Sequence, residues 1–282
     1  GAGRFAPSPS GPLHLGNLRT AILAWLFARS TQREFLLRIE DLDRVRSGAE
    51  ATQIAELASL GIDFDGDMLR QSDRLPIYLE AVEQLKARGL VYECYCSRKD
   101  IAEAGSAPHA APGAYPGTCR NLSASERSAK AQNRPAALRL RSEVNEFSVH
   151  DELFGDYTGA VDDFVLVRND GAPAYNLAVV VDDAFSSIDQ VVRGDDLLSS
   201  APRQAYLATL LGHPIPSYAH VPLALNAKGQ RLAKRDGAVT LEEITEHGVH
   251  PADVVAILLE SLGLPSTSLQ AALEAFDPVN LP

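Results

Sequence analysis

The sequence predicts an α/β fold: a doubly wound parallel sheet, split by an insertion and followed by a helical C-terminal part. Three observations predict it. The first 88 residues alternate strand and helix signals, the rhythm breaks near residue 90, and it returns near residue 190, as a parallel sheet covered by helices requires. Arg4 to Ala6 reads as a short extended segment, after which Pro7, Pro9, Gly11 and Pro12 interrupt regular structure. From Asn17 the apolar residues Leu18, Ala21, Ile22, Trp25 and Leu26 recur at helical spacing and predict one buried face. Glu34 to Ile39 reads as a buried strand. Helices over Ala49 to Leu60 and Pro76 to Arg88 follow, the second stopped by Gly89.

Cysteine, proline, glycine and alanine dominate from Cys94 to Cys119, and a basic stretch comes next. Phe164 to Arg168, the turn Asn169-Asp170-Gly171 and Pro173 to Tyr175 predict a hairpin. Gln190 to Arg193 and a helix from Ser200 to Leu211 restore the parallel rhythm. In the tail from Leu241, residues Val254, Val255, Leu258, Leu259 and Leu262 share one helical face, and Gly263 closes it. The expected division is therefore 1–88 for the first half of a nucleotide-binding fold, 89–169 for an insertion and 170–222 for the second half. Residues 223–282 form a loop and helical tail. No internal repeat is visible.

At 282 residues with 45% hydrophobic content, the chain can build a proper core. Its apolar stretches are short, such as Leu177 to Val181, far from the roughly 18 residues of a membrane span. The start, Gly1-Ala2-Gly3-Arg4, lacks the regions of a signal peptide. The expectation is a soluble cytoplasmic monomer with no membrane partner. A net charge of −11 argues weakly against nucleic acid. The charge is unevenly spread, however: Arg120, Arg127, Lys130, Arg134, Arg139 and Arg141 are opposed only by Glu126, and Lys228, Arg231, Lys234 and Arg235 form a second cluster. Each is either a solvated face or an RNA contact, because the local field matters more than the sum. Three cysteines exclude an all-paired disulfide framework, and Cys94-x-Cys96 with Cys119 is a local grouping.

Two loops carry chemistry. Gly11-Pro-Leu-His-Leu-Gly-Asn17 lies between the first strand and first helix, where a Rossmann-like fold places phosphates on backbone N–H groups and a helix dipole. His14 can donate to phosphate oxygens there, and Gly16 permits close backbone approach. The second loop, Gly229-Gln-Arg-Leu-Ala-Lys-Arg-Asp-Gly237, offers Lys234 between flanking glycines, suited to charge developing on a triphosphate.

Together these loops resemble the HIGH and KMSKS signatures of class I aminoacyl-tRNA synthetases, as His14-Leu15-Gly16-Asn17 and Arg231-Leu232-Ala233-Lys234-Arg235. Arg4-Phe5-Ala6-Pro7-Ser8-Pro9-Ser10-Gly11, Arg38-Ile39-Glu40-Asp41-Leu42-Asp43, Tyr175-Asn176-Leu177-Ala178 with Val181-Asp182-Asp183, and Val192-Arg193-Gly194-Asp195-Asp196-Leu197 are similar to the glutamyl branch. The resemblance covers essentially the whole chain. It implies glutamate binding by Arg4, Phe5, Ala6, Pro7, Ser8, Glu40, Tyr175 and Arg193. The arginines would face the two carboxylates, and Glu40 the ammonium. It implies ATP, with Mg²⁺, at His14, Gly16, Asn17, Arg231 and Lys234, and catalysis by His14 and Lys234. Arg231 and Ala233 depart from the pattern, which leaves the γ-phosphate contact open between Arg231 and another group.

A full glutamyl-tRNA synthetase continues for roughly another ~150–200-residue domain. The short chain, together with Ser8-Pro9-Ser10-Gly11, the run Asp65 to Ser72 and the run Tyr175 to Asp183, resembles the glutamyl-Q tRNA(Asp) synthetases. That subfamily implies tRNA-independent adenylation of glutamate and its transfer to queuosine in the anticodon stem-loop of tRNA(Asp). It also implies a structural zinc ion in the insertion, held by Cys94, Cys96, Tyr115 and Cys119. Ordinary ligand chemistry would instead choose His109 as the fourth ligand. The alternatives are a shortened synthetase acylating the 3′ adenosine of tRNA(Glu) and a non-RNA ligase.

Overall fold

A computed structural model describes residues 1–104, 114–224 and 239–281. In chain order the strands and helices are β1 (Ala2–Phe5), α1 (Leu15–Ser30), β2 (Glu34–Ile39), α2 (Ala49–Ser59), β3 (Leu69–Arg70), α3 (Leu75–Ala87), β4 (Val91–Cys94), α4 (Arg98–Ala104), α5 (Ala124–Ala131), β5 (Ala137–Leu140), β6 (Glu146–Asp151), β7 (Gly155–Ala160) and β8 (Val165–Val167). They continue with α6 (Tyr175–Phe185), β9 (Gln190–Gly194), α7 (Ala201–Leu211), β10 (Ser217–Val221), α8 (Leu241–Glu246), α9 (Pro251–Glu260) and α10 (Leu269–Ala275).

β1, β2 and β3 are hydrogen-bonded in that order and parallel, and β9 and β10 form a parallel pair with β6 on the far side of β10. The two groups meet through a parallel bridge between Ala2 and Ile188 and an Asp189 N–H donating to the Ala2 carbonyl at 3.1 Å. Read across, the order is β3-β2-β1-β9-β10-β6-β7, parallel apart from the last pair. β1 and β9 sit where the strand order reverses. Such a switch point opens a crevice at the carboxyl ends of the strands, where doubly wound sheets bind ligands.

α1 covers one face of the sheet and is buried nearly all round, from Leu18 through Ala28 apart from Thr20. The spacing predicted a single buried face. The difference has a physical cause: α1 lies between the sheet and the C-terminal helices, whose Val254, Val255, Leu258 and Leu259 join its core. A helix packed on two sides becomes apolar on two sides. Phe27 meets Phe276 edge-on, with ring centroids 5.2 Å apart. α3, α6 and α7 share a second core with Leu140, Phe164 and Leu166.

The stretch 89–169 divides between two sheets. β4, β5 and β8 form a separate antiparallel sheet, whereas the β6–β7 hairpin joins the central one at β10. The turn at Asn169-Asp170-Gly171 forms, with Gly171 at φ 84° and Arg168 N–H donating to the Ala172 carbonyl at 2.8 Å. Its second arm is a single bridge, Val167 to Pro173, because α6 begins at Tyr175. No helix among the described residues is long and apolar enough to cross a membrane.

Candidate active site

The first loop is tied down from two sides. Gln53 on α2 donates to the carbonyls of Ser8 and Gly11 at 3.0 and 2.8 Å, and the Leu13 N–H donates to Glu56 at 2.9 Å. His14 caps α1, its Nδ1 accepting from the Asn17 N–H at 3.4 Å. A β-carbon on Gly16 would stand 3.1 Å from the His14 ring and 3.8 Å from the Ala224 side chain, so glycine lets both approach. Residues Arg231 and Lys234 lie outside the described residues, but both flanks of their segment reach the first loop. Ala224 lies against Gly16, Leu15 N–H donates to the Val239 carbonyl at 3.1 Å, and His14 bridges Thr240.

Beside this loop, at the carboxyl ends of β1, β2 and β9, stand the residues expected to hold glutamate. Arg4 and Arg38, two residues apart in register on neighbouring strands, share Asp183 of α6: Nε of Arg4 and Nη1 of Arg38 donate to the same Oδ1 at 3.1 and 2.6 Å. Arg38 also reaches Glu40 at 3.3 Å. All three of Arg4, Arg38 and Asp183 are buried. Burial works to raise the Asp183 carboxyl, but Arg38 and Arg4 outweigh it and hold it below its ordinary value. For Glu40 burial wins over Arg38 and Arg4 and the carboxyl is raised. Arg193 is buried and bonded to His220 and Gln204 at 3.0 and 2.7 Å. Tyr175 opens onto the cleft, its phenol raised by burial and by the Glu40 charge. Ser8 is exposed at the rim, whereas Phe5 turns to the opposite face and joins the α1 core.

Sequence reasoning did not single out Arg38, Asp183, Gln53 or Glu56, although Arg38 and Asp183 fall inside the motif strings. Asp182 beside them is fully buried and accepts from Arg74, Gln71 and Tyr78 at 2.7, 2.9 and 2.7 Å, anchoring α6 to α3.

A cleft of about 940 Å³ leads from Ser8, Glu40 and Tyr175 to Cys94 and Cys96, with Arg44, Arg98, Arg134 and Arg168 along its walls. Part of the basic stretch is used internally, so it does not serve as one RNA-facing strip. Arg120 pairs with Asp163 at 2.7 Å, Arg139 is buried and donates to the Asp163 carbonyl, and Arg141 donates to the Arg120 carbonyl at 2.7 Å. Arg127 and Lys130 remain exposed, and Arg134 lines the cleft.

At the far end the three thiols lie within 4.8 Å of one another. Tyr115 Oη is 3.3 Å from Cys94 Sγ and 3.6 Å from Cys96 Sγ, which is itself 3.6 Å from Cys119 Sγ. Sulfur ligands about 2.3 Å from a tetrahedral ion stand about 3.8 Å apart, so these four groups fit a zinc ion. Burial would raise the Cys94 thiol, but Tyr115 and Arg139 bring it below its ordinary value. The alternative ligand, His109, lies outside the described residues.

Comparison with known proteins sets this geometry in a family. Residues 2–278 match the model for tRNA synthetases class I (E and Q), catalytic domain. A glutamyl-Q tRNA(Asp) synthetase from Nocardia farcinica is 62% identical over all of this chain and 91% of its own length. The chain belongs to the glutamyl-Q tRNA(Asp) synthetase family of class I tRNA synthetases. Another member, from Cutibacterium acnes, is 53% identical over 95% of this chain and 77% of its own. The crystal structure of a glutamate tRNA ligase from Elizabethkingia meningosepticum, in complex with its amino acid, superposes with a TM-score of 0.83 at 27% identity. That match covers 99% of this chain, which spans 65% of the ligase.

Proposed function

We infer that this chain activates glutamate with ATP and transfers it to queuosine at the wobble position of tRNA(Asp). The observation that carries this reading is the glutamate-type arginine set at the switch point, in a chain 62% identical throughout to a glutamyl-Q tRNA(Asp) synthetase. In the first step the glutamate α-carboxylate oxygen bonds to the α-phosphorus of ATP and pyrophosphate leaves. His14 and Lys234 stabilise the charge that develops, and Mg²⁺ accompanies the nucleotide. Arg4 and Arg193 receive the carboxylates of glutamate, Glu40 pairs with its ammonium, and Tyr175 hydrogen-bonds beside it. In the second step a hydroxyl of the queuosine cis-diol attacks the activated carbonyl carbon and AMP leaves. That diol imitates the 2′,3′-diol of a terminal adenosine.

The anticodon stem-loop is an A-form helix ending in unpaired bases, which proteins read by backbone shape and splayed bases. The arginine-walled cleft, open to Tyr175 and Glu40, offers such a strand a path to the activated carbonyl. Cys94, Cys96, Tyr115 and Cys119 hold a zinc ion that stabilises the small sheet and takes no part in the chemistry. Residues 1–88 and 170–222 supply most of the catalytic sheet, 89–169 the insertion, whose β6–β7 hairpin extends that sheet, and 223–282 the second signature and helical tail. The enzyme works in the cytoplasm, where tRNA is found.

Mapping labelled glutamate on RNA tests the reading. Queuosine-containing tRNA(Asp), or its isolated anticodon stem-loop, should be labelled, and removal of the 3′ adenosine should not matter. Label on the 3′ end of tRNA(Glu), or on tRNA(Asp) carrying plain guanosine, would overturn it.

A further inference from the structure

Arg193 on β9 faces His220 on β10 directly across the strand register. The Nε of Arg193 donates to His220 Nε2 at 3.0 Å, so that ring nitrogen carries no proton. The proton sits on Nδ1, 2.6 Å from Asp151 Oδ2. Asp151, on β6, is fixed in turn: Oδ2 also accepts the His220 amide at 3.1 Å, and Oδ1 accepts the amides of Leu153 and Phe154 at 2.9 and 3.0 Å. His220 and Asp151 are both fully buried. From the other side Gln204 of α7 accepts from Nη1 at 2.7 Å and passes its own amide to Asn176 at 3.0 Å. The guanidinium plane is thus clamped at Nε and Nη1, with Nη2 also donating to the Leu197 carbonyl at 3.4 Å, while one N–H remains on each Nη atom for a ligand. Burying a polar pair costs desolvation that well-packed apolar side chains would avoid. What the pair supplies, and apolar side chains could not, is a fixed acceptor for Nε.

We propose that His220, oriented by Asp151, is a positioning residue for glutamate: it holds the Arg193 guanidinium in the plane that receives a substrate carboxylate. This rests on the reading of Arg193 as a glutamate contact, and the test separates the two. Glutamine and asparagine each reproduce one half of the histidine. His220→Gln can place an acceptor where Nε2 stands but loses Asp151; His220→Asn can keep a donor for Asp151 but offers Arg193 nothing.

Glutamate-dependent ATP–pyrophosphate exchange reads the difference. His220→Asn should raise the KM for glutamate about tenfold, the scale of one hydrogen bond to a charged group, with the KM for ATP essentially unchanged. His220→Gln should stay close to wild type. If asparagine were the milder change, or both KM values rose together, His220 would only be joining strands and the proposal would fall. Arg193→Lys provides the separation. An unchanged glutamate KM there removes the underlying reading, whereas a raised one beside a silent His220→Asn removes this inference alone. Should the variants fail to fold, ¹⁵N resonances of His220 in the wild-type protein still decide. A protonated Nδ1 and bare Nε2 are expected, and the opposite tautomer would contradict the arrangement.

Discussion

The arginines behind the proposed glutamate pocket and the cysteines of the small antiparallel sheet are both buried polar clusters, yet they are held in opposite ways. In the first, each cation has a partner supplied by the chain: Asp183 takes Arg4 and Arg38, and His220 with Gln204 takes Arg193. In the second, three thiols and a phenol converge within hydrogen-bonding range. All four become negative when they lose a proton. Arg139 is stacked on the Tyr115 ring at 3.6 Å, and the apolar cluster around them is small. The chain itself therefore holds every arginine of the pocket, Arg4 and Arg38 by charge and Arg193 by neutral acceptors, whereas the cysteine sheet calls for a cation from outside. One region should fold into its working form alone, and the other should depend on metal.

The sharpest way to break the first half is to remove the shared carboxylate. Asp183→Ala leaves Arg4 and Arg38 buried without their common acceptor and should destabilise the protein by about 3–5 kcal/mol, measured by denaturant unfolding. A loss below about 1 kcal/mol would mean that solvent reaches these arginines.

The second half predicts about one zinc per chain. Cys119→Ala should lose it and raise amide exchange across β4, β5 and residues 114–120, while exchange in β1, β2 and β9 stays slow. Tyr115→Phe should weaken metal binding and His109→Ala should leave it intact. The reverse pattern would make imidazole the fourth ligand. Coupled loss of protection in both regions would erase the contrast between them.

The pH dependence is a smaller effect, and its sign follows from the shifts. Burial holds His220 and His213 below their ordinary value of 6.5. Fewer protons bind in the native state than in the unfolded one, so stability is full above that pH and falls below it. Asp183 and Asp151, held low by their partners, add a second loss as pH drops below their ordinary 3.8. Glu40, held high by burial, acts against this trend and softens it above about pH 4.5. Each group contributes up to about 1.4 kcal/mol per pH unit within its window. Urea unfolding at pH 7.5, 6.0 and 5.0 should show falling stability, and a flat profile would imply that His220 is solvated.

Much of this was legible in the sequence, and the gaps have physical causes. Strand β2 is found where Glu34 to Ile39 predicted it, since a short segment dominated by Phe35, Leu36, Leu37 and Ile39 between turns has few other readings. Arg4, Glu40, Tyr175 and Arg193 were marked by their motif strings, and the structure brings Arg4 and Glu40 together around Arg38 and Asp183. Asp183 lay within a quoted string but carried no visible purpose, because its partners are 145 and 179 residues away. His220 and Asp151 were silent for the same reason: their link to Arg193 runs across three strands, not along one. The basic stretch misled differently. Arg120 and Arg139 are adjacent to Asp163 only in space, so counting charge along the chain overstated what is left for RNA.

The contrast between a self-paired pocket and a metal-dependent sheet is tested most directly by ATP–pyrophosphate exchange with glutamate and no RNA present. A pocket whose arginines are already held by Asp183, His220 and Gln204 should support exchange at once, and zinc removal should lower it far less than it loosens the small sheet. Exchange that appears only after tRNA is added would contradict this, because the pocket would then be assembled by RNA and not by the chain's own charges.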